Sequence, residues 1–544
     1  MLSFLGIIIF AFILLSTPFV QSRVADGLVT KINKNYNTDI RVEEVSIGTG
    51  GSILLKSFFI ADHHSDTLFF AKNFQTDLYS FGQWVDGNLF FETSEFDEAF
   101  LKVTQYEEEL QNSFFHFYDK LLSHIPPGKR NPIFVRLNQL KINSGKISFN
   151  NISNQKESYI VEGINLLAND LFVVNDQVQV DLNQFSFKSD DFGKLSSLKA
   201  KININPCEIQ LVSFNLAAEG SVLKGGLELE TQSSSLGFFH NHSILNLNLK
   251  DGNLTKELLN KFISVPDGFE SLDLSFNASG LFSDLKLTNL IAKNNYLDFA
   301  ANVRLKKDLS SNLYAVNTNI EKFDFSPKNL NHFLTKSIYE KIPEDFFKYD
   351  EIKIIGEASY QNKSFITNLN CTIDDGKVFQ KSILRFKDNN PDGFKGNFYF
   401  DEFNLKPWGD KLGVLDADLV VSANNLLSES IDFKYNLIIS KLFIGQIPVT
   451  KLSFEGYYKF KTFTSDIKID DNLLSAKSAF SFSWSDYQKK YQLDLNLNNL
   501  NLHSLNKKLG NGKAIFSGDL TVFLVGNSFD EIQGNLLFKN LNFE

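Results

Sequence analysis

His63, His64 and Asp66 form the one cluster in this 544-residue sequence whose residue types and spacing resemble a metal site. Imidazole nitrogens and carboxylate oxygens are the donors a zinc-type ion takes. Adjacent side chains of a strand point to opposite faces, so two neighbouring histidines in a strand cannot easily share one ion. A turn capping a sheet edge is the expected role, and no metal is expected. Glu107, Glu108 and Glu109 stand where a helix is expected to begin, and acidic residues in a first turn complement the helix dipole. Asp374-Asp375 and Asp470-Asp471 are expected in turns, where Asp is favoured for backbone reasons. No Ser-His-Asp, GxSxG, P-loop or GxGxxG arrangement occurs in a convincing context. The two cysteines, Cys207 and Cys371, lie far apart without a CxxC or ligand spacing. Two buried thiols are expected, with one long-range disulfide the alternative in an oxidising compartment. The residues therefore predict neither an enzyme nor a bound cofactor.

The elements around these residues carry a different message. Hydrophobic residues are 43% and charged residues 22%, which excludes both a disordered tail and a multi-span membrane protein. A net charge of -10 argues against nucleic acid, whose binding needs a basic footprint. Phe reaches 55 residues, and those rings need an apolar place to go.

Period-2 alternation runs through the body. Leu245, Leu247 and Leu249 alternate with asparagines, and Leu272, Leu274 and Phe276 with Asp273 and Ser275. Phe433, Tyr435, Leu437 and Ile439 form a third set, and Phe480, Phe482 and Trp484 a fourth. Leu493, Leu495 and Leu497 form a fifth, with Leu500 and Leu502 resuming after a slip. Each set places apolar side chains on one strand face and polar ones on the other. Polar breaks such as Asn143-Ser144-Gly145 and Asp374-Asp375-Gly376 are expected turns. Helices are expected at Tyr106–His124, Thr255–Ile263 and Lys328–Tyr339. A repeat opens at Val265-Pro266 and again at Ile342-Pro343, 77 residues on, and both copies reach Thr-Asn-Leu, at 288 and 367, 79 residues apart. A weaker third copy covers Leu502–Leu509 and Ala514–Gly518. Stacked repeats of this kind make a quasi-one-dimensional architecture.

Leu2 to Val20 is an uncharged apolar run that as a helix would reach about 28 Å, close to the hydrocarbon thickness. Residues 1–22 are expected to be an uncleaved transmembrane anchor, with Leu5, Ile8, Phe12 and Leu15 in the bilayer; a cleaved signal peptide is the rival, against which stand the length of the run and the lack of an A-x-A site. Residues 23–38 are expected to form an amphipathic helix on Val24, Leu28 and Ile32, stopped at Asn37. Arg23, Lys31 and Lys34 follow the run, so the positive-inside rule taken alone would leave the body in the cytoplasm. Long domains translocate largely regardless of nearby charge, and the body is expected outside it. Residues 39–130 are expected to be an N-terminal β region and 131–544 the repeated β segments. A curled sheet with one apolar face either closes into a sandwich or leaves an apolar groove. Acyl chains suit such a groove because their burial is non-directional.

Three stretches carry a family resemblance: Val20–Arg23, Ile32–Ile40 and Ile60–Leu68. In them the N-terminal 160 residues resemble the TamB branch of the AsmA-like family, in the form found in Bacteroidetes. Later Gly-bounded strand pairs, from Ser517 to Leu536, are similar in style. The resemblance implies an inner-membrane anchor, a periplasmic β-gutter, and a C-terminal domain that meets an outer-membrane barrel of the TamA type. That C-terminal domain is not visible before Phe543-Glu544, so the chain is expected to be an N-terminal fragment. The resemblance implies two functions: carriage of phospholipid between the inner and outer membranes, and assistance to the insertion of outer-membrane β-barrel proteins. The five alternating sets above, Phe433 to Leu437 included, are the expected lining of a lipid groove. A surface adhesin is the remaining rival.

Overall fold

The computed structural model describes residues 26–543 apart from 28, 32, 35–36, 49–50, 79–87, 108, 110, 124–133, 153–157, 175–176, 232–242, 308–313, 389, 428–429, 446, 472–473, 486–487, 502–514 and 528–531. The protein is mainly β, 75% strand and 8% helix, as the alternation predicts. It divides into two units, Met1–Val265 with Glu270–Phe282, and Pro266–Phe269 with Ser283–Glu544. The expected anchor, Leu5, Ile8, Phe12 and Leu15 included, lies outside the described residues. Among those described, no helix is long and apolar enough to cross a membrane. Within 23–38, residues 26–27, 29–31 and 33–34 are helical, and Asn37 ends the run at φ 49°. Asn33 ties this turn to the first strand, its Nδ2 donating to Ile40 O at 2.8 Å and its Oδ1 accepting from Ile40 N at 2.9 Å.

In the first unit, β1 (Ile40–Arg41) and β2 (Glu44–Ile47) both pair antiparallel with β3 (Ser52–Ala61). β3 pairs with β4 (Thr67–Leu78), and β4 with β5 (Asn88–Gln105). β5 then pairs in parallel with β6 (Phe134–Asn151), from Asn88↔Phe134 to Gln105↔Asn151. A parallel pair needs a crossover, and this one contains α1 (Ser113–Ser123). From β6 the chain is an antiparallel meander. It runs through β7 (Tyr159–Val174), β8 (Gln177–Ser189), β9 (Gly193–Asn205) and β10 (Glu208–Ala218). It continues through β11 (Ser221–Thr231), β12 (Ser243–Thr255) and β13 (Ser271–Leu281). Asn143-Ser144-Gly145 is not a turn. It is a bulge inside β6, with Ser144 at φ 55° and a register shift between Ile142 and Gly145, because pairing with β5 carries the strand straight through.

The second unit is a meander from β14 (Asp284–Lys293) through β15 (Leu297–Lys307), β16 (Tyr314–Phe325), β17 (Ile352–Gln361) and β18 (Ser364–Ile373). β19 (Gly376–Lys387), β20 (Asn390–Asn404), β21 (Leu412–Asn424), β22 (Asp432–Ile444) and β23 (Ile447–Lys459) follow. β24 (Thr462–Asp470), β25 (Leu474–Trp484), β26 (Lys489–Asn501), β27 (Ile515–Val525) and β28 (Gln533–Phe543) complete it. Asp374-Asp375 makes the β18–β19 turn, with Asp374 at φ 49°. The slip after Leu497 is a bulge, Leu497 pairing with Gly518 and Leu500 with Phe516. The third repeat copy lies outside the described residues up to Ala514.

The helices are shorter than the sequence suggests. α1 starts at Ser113 rather than Tyr106, because residues before it are tied into turns. Asn112 Oδ1 accepts from Phe115 N at 3.1 Å and so caps the helix there. α2 (Lys256–Leu259) is capped by Thr255 and gives way to turns before Ile263. Lys328–Tyr339 divides into a 3-10 turn, Pro327–His332, and α3 (Lys336–Tyr339). A further 3-10 turn, Glu344–Lys348, leads to Tyr349, which is buried between Val378 and Phe403. Tyr349 donates to Asn404 O at 2.8 Å and accepts from Trp408 Nε1 at 3.0 Å, so these inserts close strand ends.

Candidate functional site

Strand alternation and the pairing register together decide which side chains share a face. In the first unit, Leu140, Ala168, Leu182, Ala200, Phe214, Gly225, Leu249 and Phe276 are successive partners from β6 to β13. Two residues along each strand, or three on β10 where a bulge separates Leu211 from Phe214, Val180, Ile202, Leu211, Leu227, Leu247 and Ala278 form a second row on the same face. Leu245 pairs with Gly280, Leu274 with Gly252 and Leu272 with Leu254, so all six residues expected on β12 and β13 lie on that face. A register shift between Leu249 and Gly252 keeps the rows aligned.

The second unit repeats the arrangement with aromatic rings. Phe433, Tyr458, Phe463, Phe482, Tyr491 and Leu524 are successive partners from β22 to β27. Leu437, Phe454, Ile467, Ser478, Leu495 and Leu520 form a parallel row, and Leu497 pairs with Ala476 beside it. Between these rows run Tyr435, Gly456, Ser465, Phe480 and Leu493. Trp484 joins Tyr458 at 5.4 Å and Phe482 at 5.1 Å between ring centroids. Offset rings at such distances attract beyond their area burial. Some polar atoms on this face pair with one another, whereas the buried Ser478 Oγ has no partner. Thr367 Oγ1 and Ser382 Oγ are both buried and 2.8 Å apart.

No second sheet covers either face among the described residues: each strand's extensive packing partners are its hydrogen-bonded neighbours and, at a few ends, a short helix. Of the fifteen nominated side chains only Leu249 is buried, at 6% exposure, and the other fourteen are half-buried. They shelter one another within a single layer and keep part of their surface open. The opposite face carries the charged side chains, with exposed apolar ones such as Phe379, Tyr399, Ile438 and Tyr457 set among them. Arg304 reaches Asp284 through Nε at 2.7 Å, Lys322 reaches Asp298 at 2.8 Å, and Asn248 donates to Asn277 at 2.7 Å. Depressions of about 460 and 630 Å³ open on that polar side, lined by Lys286, Arg304 and Glu357 in one and Glu455, Asp466 and Lys468 in the other. Apolar residues such as Val303 and Ile366 in the first, and Ile467 and Leu495 in the second, share that lining.

His63 and His64 occupy the β3–β4 turn, as expected, and in a turn the opposite-faces argument does not apply. Asp62 Oδ1 accepts from His64 N and Asp66 N, both at 2.9 Å, and Tyr106 donates to Asp62 Oδ2 at 2.6 Å. Burial and the Asp62 carboxylate push the Tyr106 hydroxyl well above its ordinary range. The turn so held brings both imidazoles to Glu109, His63 Nε2 at 2.9 Å and His64 Nε2 at 2.8 Å. Glu109 therefore hydrogen-bonds to the two histidines instead of starting a helix. Hydrogen bonds from His64 and His63 hold its carboxyl below the usual range, against the opposing effect of burial.

Cys207 is exposed in the β9–β10 turn, its N donating to Asn205 Oδ1 at 3.0 Å, so the expectation of two buried thiols fails there. Cys371 is partly buried on β18, where burial pushes its thiol up. Both are free.

Sequence alternation missed β8 to β11 and most of β14 to β21 as parts of these faces. Bulges and inward Thr, Ser and Gly break the period there, at Thr367, Ser382 and Gly396 for example. The pairing register restores it. No protein-family profile, curated protein or solved structure matches the chain, so its family rests on no comparison and the geometry has to carry the functional reading.

Proposed function

We propose that the protein carries phospholipid along its apolar face, held to the inner membrane by its N-terminal segment with its body in the periplasm. The single observation that supports this is the apolar face of each unit, continued strand by strand and covered by no second layer among the described residues. Each methylene removed from water gains about 0.8 kcal/mol, so an acyl chain laid along such a face gains on the order of 10 kcal/mol without any directional contact. Inward hydroxyls such as Thr367 with Ser382 and Tyr435 with Ser465 already bond one another and demand nothing from the ligand. The polar head would remain in water at the open side. The TamB-like N-terminal stretches favour an outer-membrane barrel of the TamA type as the partner.

Photo-crosslinking groups placed at Leu247 and Leu495, and at Asn248 and Asn496 on the opposite face, test this in cells. Phospholipid adducts are expected at the two leucine positions alone. Equal adducts at all four would refute it.

A further inference from the structure

The first unit brings three of the chain's eight histidines to one carboxylate. His63 and His64 come from the β3–β4 turn, Glu109 from the loop after β5, and His116 from the first turn of α1. His63 Nε2 lies 2.9 Å and His116 Nε2 3.7 Å from the same oxygen, Glu109 Oε2. The donor atoms of these three residues all lie within 4.8 Å of one another. In a tetrahedral zinc site with bonds near 2.0–2.1 Å, neighbouring donors stand about 3.4 Å apart. To admit an ion, His116 would close on Glu109 from 3.7 Å, His63 would open from 2.9 Å, and the widest donor pair would contract by up to about 1.4 Å.

The supports are rigid. Asp62 fixes the turn through His64 N, Asp66 N and Tyr106 Oη. Gln105 Nε2 donates to Glu109 O at 2.6 Å, and the fully buried Ser113 accepts from Thr104 N at 2.9 Å. His116 N donates to Asn112 O at 3.1 Å, which sets the height of its ring. The His63 and His116 rings already stack, with centroids 4.2 Å apart and planes at 28°, and both Nε2 atoms approach Glu109 Oε2.

We propose that His63, Glu109 and His116 bind one divalent transition cation of the zinc type, leaving one position to water. His64 Nε2, 2.8 Å from Glu109 Oε1, is the outer partner that orients the carboxylate. Two imidazoles and one carboxylate favour zinc over calcium or magnesium, which take oxygen donors. The ion would pin the β3–β4 turn to the β5–α1 loop, which precedes the parallel crossover.

The test is a calorimetric titration of the chelator-stripped full chain with Zn²⁺. One equivalent is expected to bind, with no comparable binding of Mg²⁺ or Ca²⁺. His63→Ala, His116→Ala and Glu109→Gln each abolish it, and His64→Ala weakens it by about 10–100-fold. His332→Ala, in the second unit, leaves it unchanged. X-ray absorption at the zinc edge of the unmodified chain does not depend on variant folding, and nitrogen and oxygen donors at about 2.0–2.1 Å including two imidazoles are expected. Absence of a bound equivalent, an edge spectrum without imidazole, or equal affinity in the folded triple variant would overturn the site.

Discussion

Tyr435 lies across Gly456, its partner on the next strand, and its hydroxyl donates to Ser465 Oγ one strand further at 2.7 Å. A Cβ at Gly456 would meet the Tyr435 ring and hydroxyl at 2.8 Å and press on the carbonyl of Thr464. Glycine thus gives the ring its bed, and the ring covers backbone that would otherwise stand open on the apolar face.

Gly456→Ala therefore destabilises the second unit by about 1–3 kcal/mol through overpacking against backbone. Tyr435→Phe leaves the buried Ser465 hydroxyl without its donor and also costs about 1–3 kcal/mol. Urea unfolding followed by tryptophan fluorescence measures both. A neutral Gly456→Ala would mean that the ring does not rest there.

Gly356 makes the same demand by a different route. Its φ of 133° is one that L side chains rarely adopt, and an added Cβ would strike the carbonyl of Asn368. Gly356→Ala is expected to cost more than Gly226→Ala on β11, where no positive φ is required. Melting temperatures of the two variants decide it.

The polar face gives a pH signature. The Arg304 guanidinium holds the Asp284 carboxyl below the usual carboxylate range, and Lys322 with Lys293 does the same for Asp298. A lowered folded-state value means that the stabilisation is complete above the ordinary carboxylate range, near pH 4, and is lost as pH falls through the lowered value. Thermal stability should fall on acidification below about pH 4, and the Asp284→Asn/Asp298→Asn variant should lose less over that interval. An unchanged slope would show that these pairs do not report folding.

The thiols should differ in reactivity. Cys207 is exposed in its turn, whereas burial raises the Cys371 thiol and hides it. Since the thiolate is the nucleophile, maleimide at neutral pH should modify Cys207 rapidly and Cys371 only after unfolding. Mass spectrometry of the labelled chain distinguishes one adduct from two.

The strands were legible wherever leucine or aromatic residues alternated cleanly, as at Leu493 to Leu497, because period 2 is set by backbone geometry alone. Extent was harder to read. The parallel β5–β6 pair joins residues 46 apart, as at Asn88↔Phe134, and no local pattern reports such a partner. Bulges hid others: Asn143 to Gly145 reads as a turn until its register partners are known. The histidine cluster was misread for a related reason. The turn at His63 and His64 is legible, but Glu109 and His116, more than forty residues away, read only as parts of a helix. Spatial convergence of that kind leaves no spacing signature.

The central claim is that the uncovered apolar face holds lipid. The most direct measurement is quantitative lipid mass spectrometry on the full chain, gently extracted, beside its Leu274→Asp/Leu495→Asp variant and an Asn248→Ser/Asn496→Ser control. The N-terminal segment is common to all three, so lipid retained by it cancels. Several more phospholipids per chain on the unmodified and control proteins than on the aspartate variant is the result predicted. Equal lipid content in all three folded proteins would contradict the account.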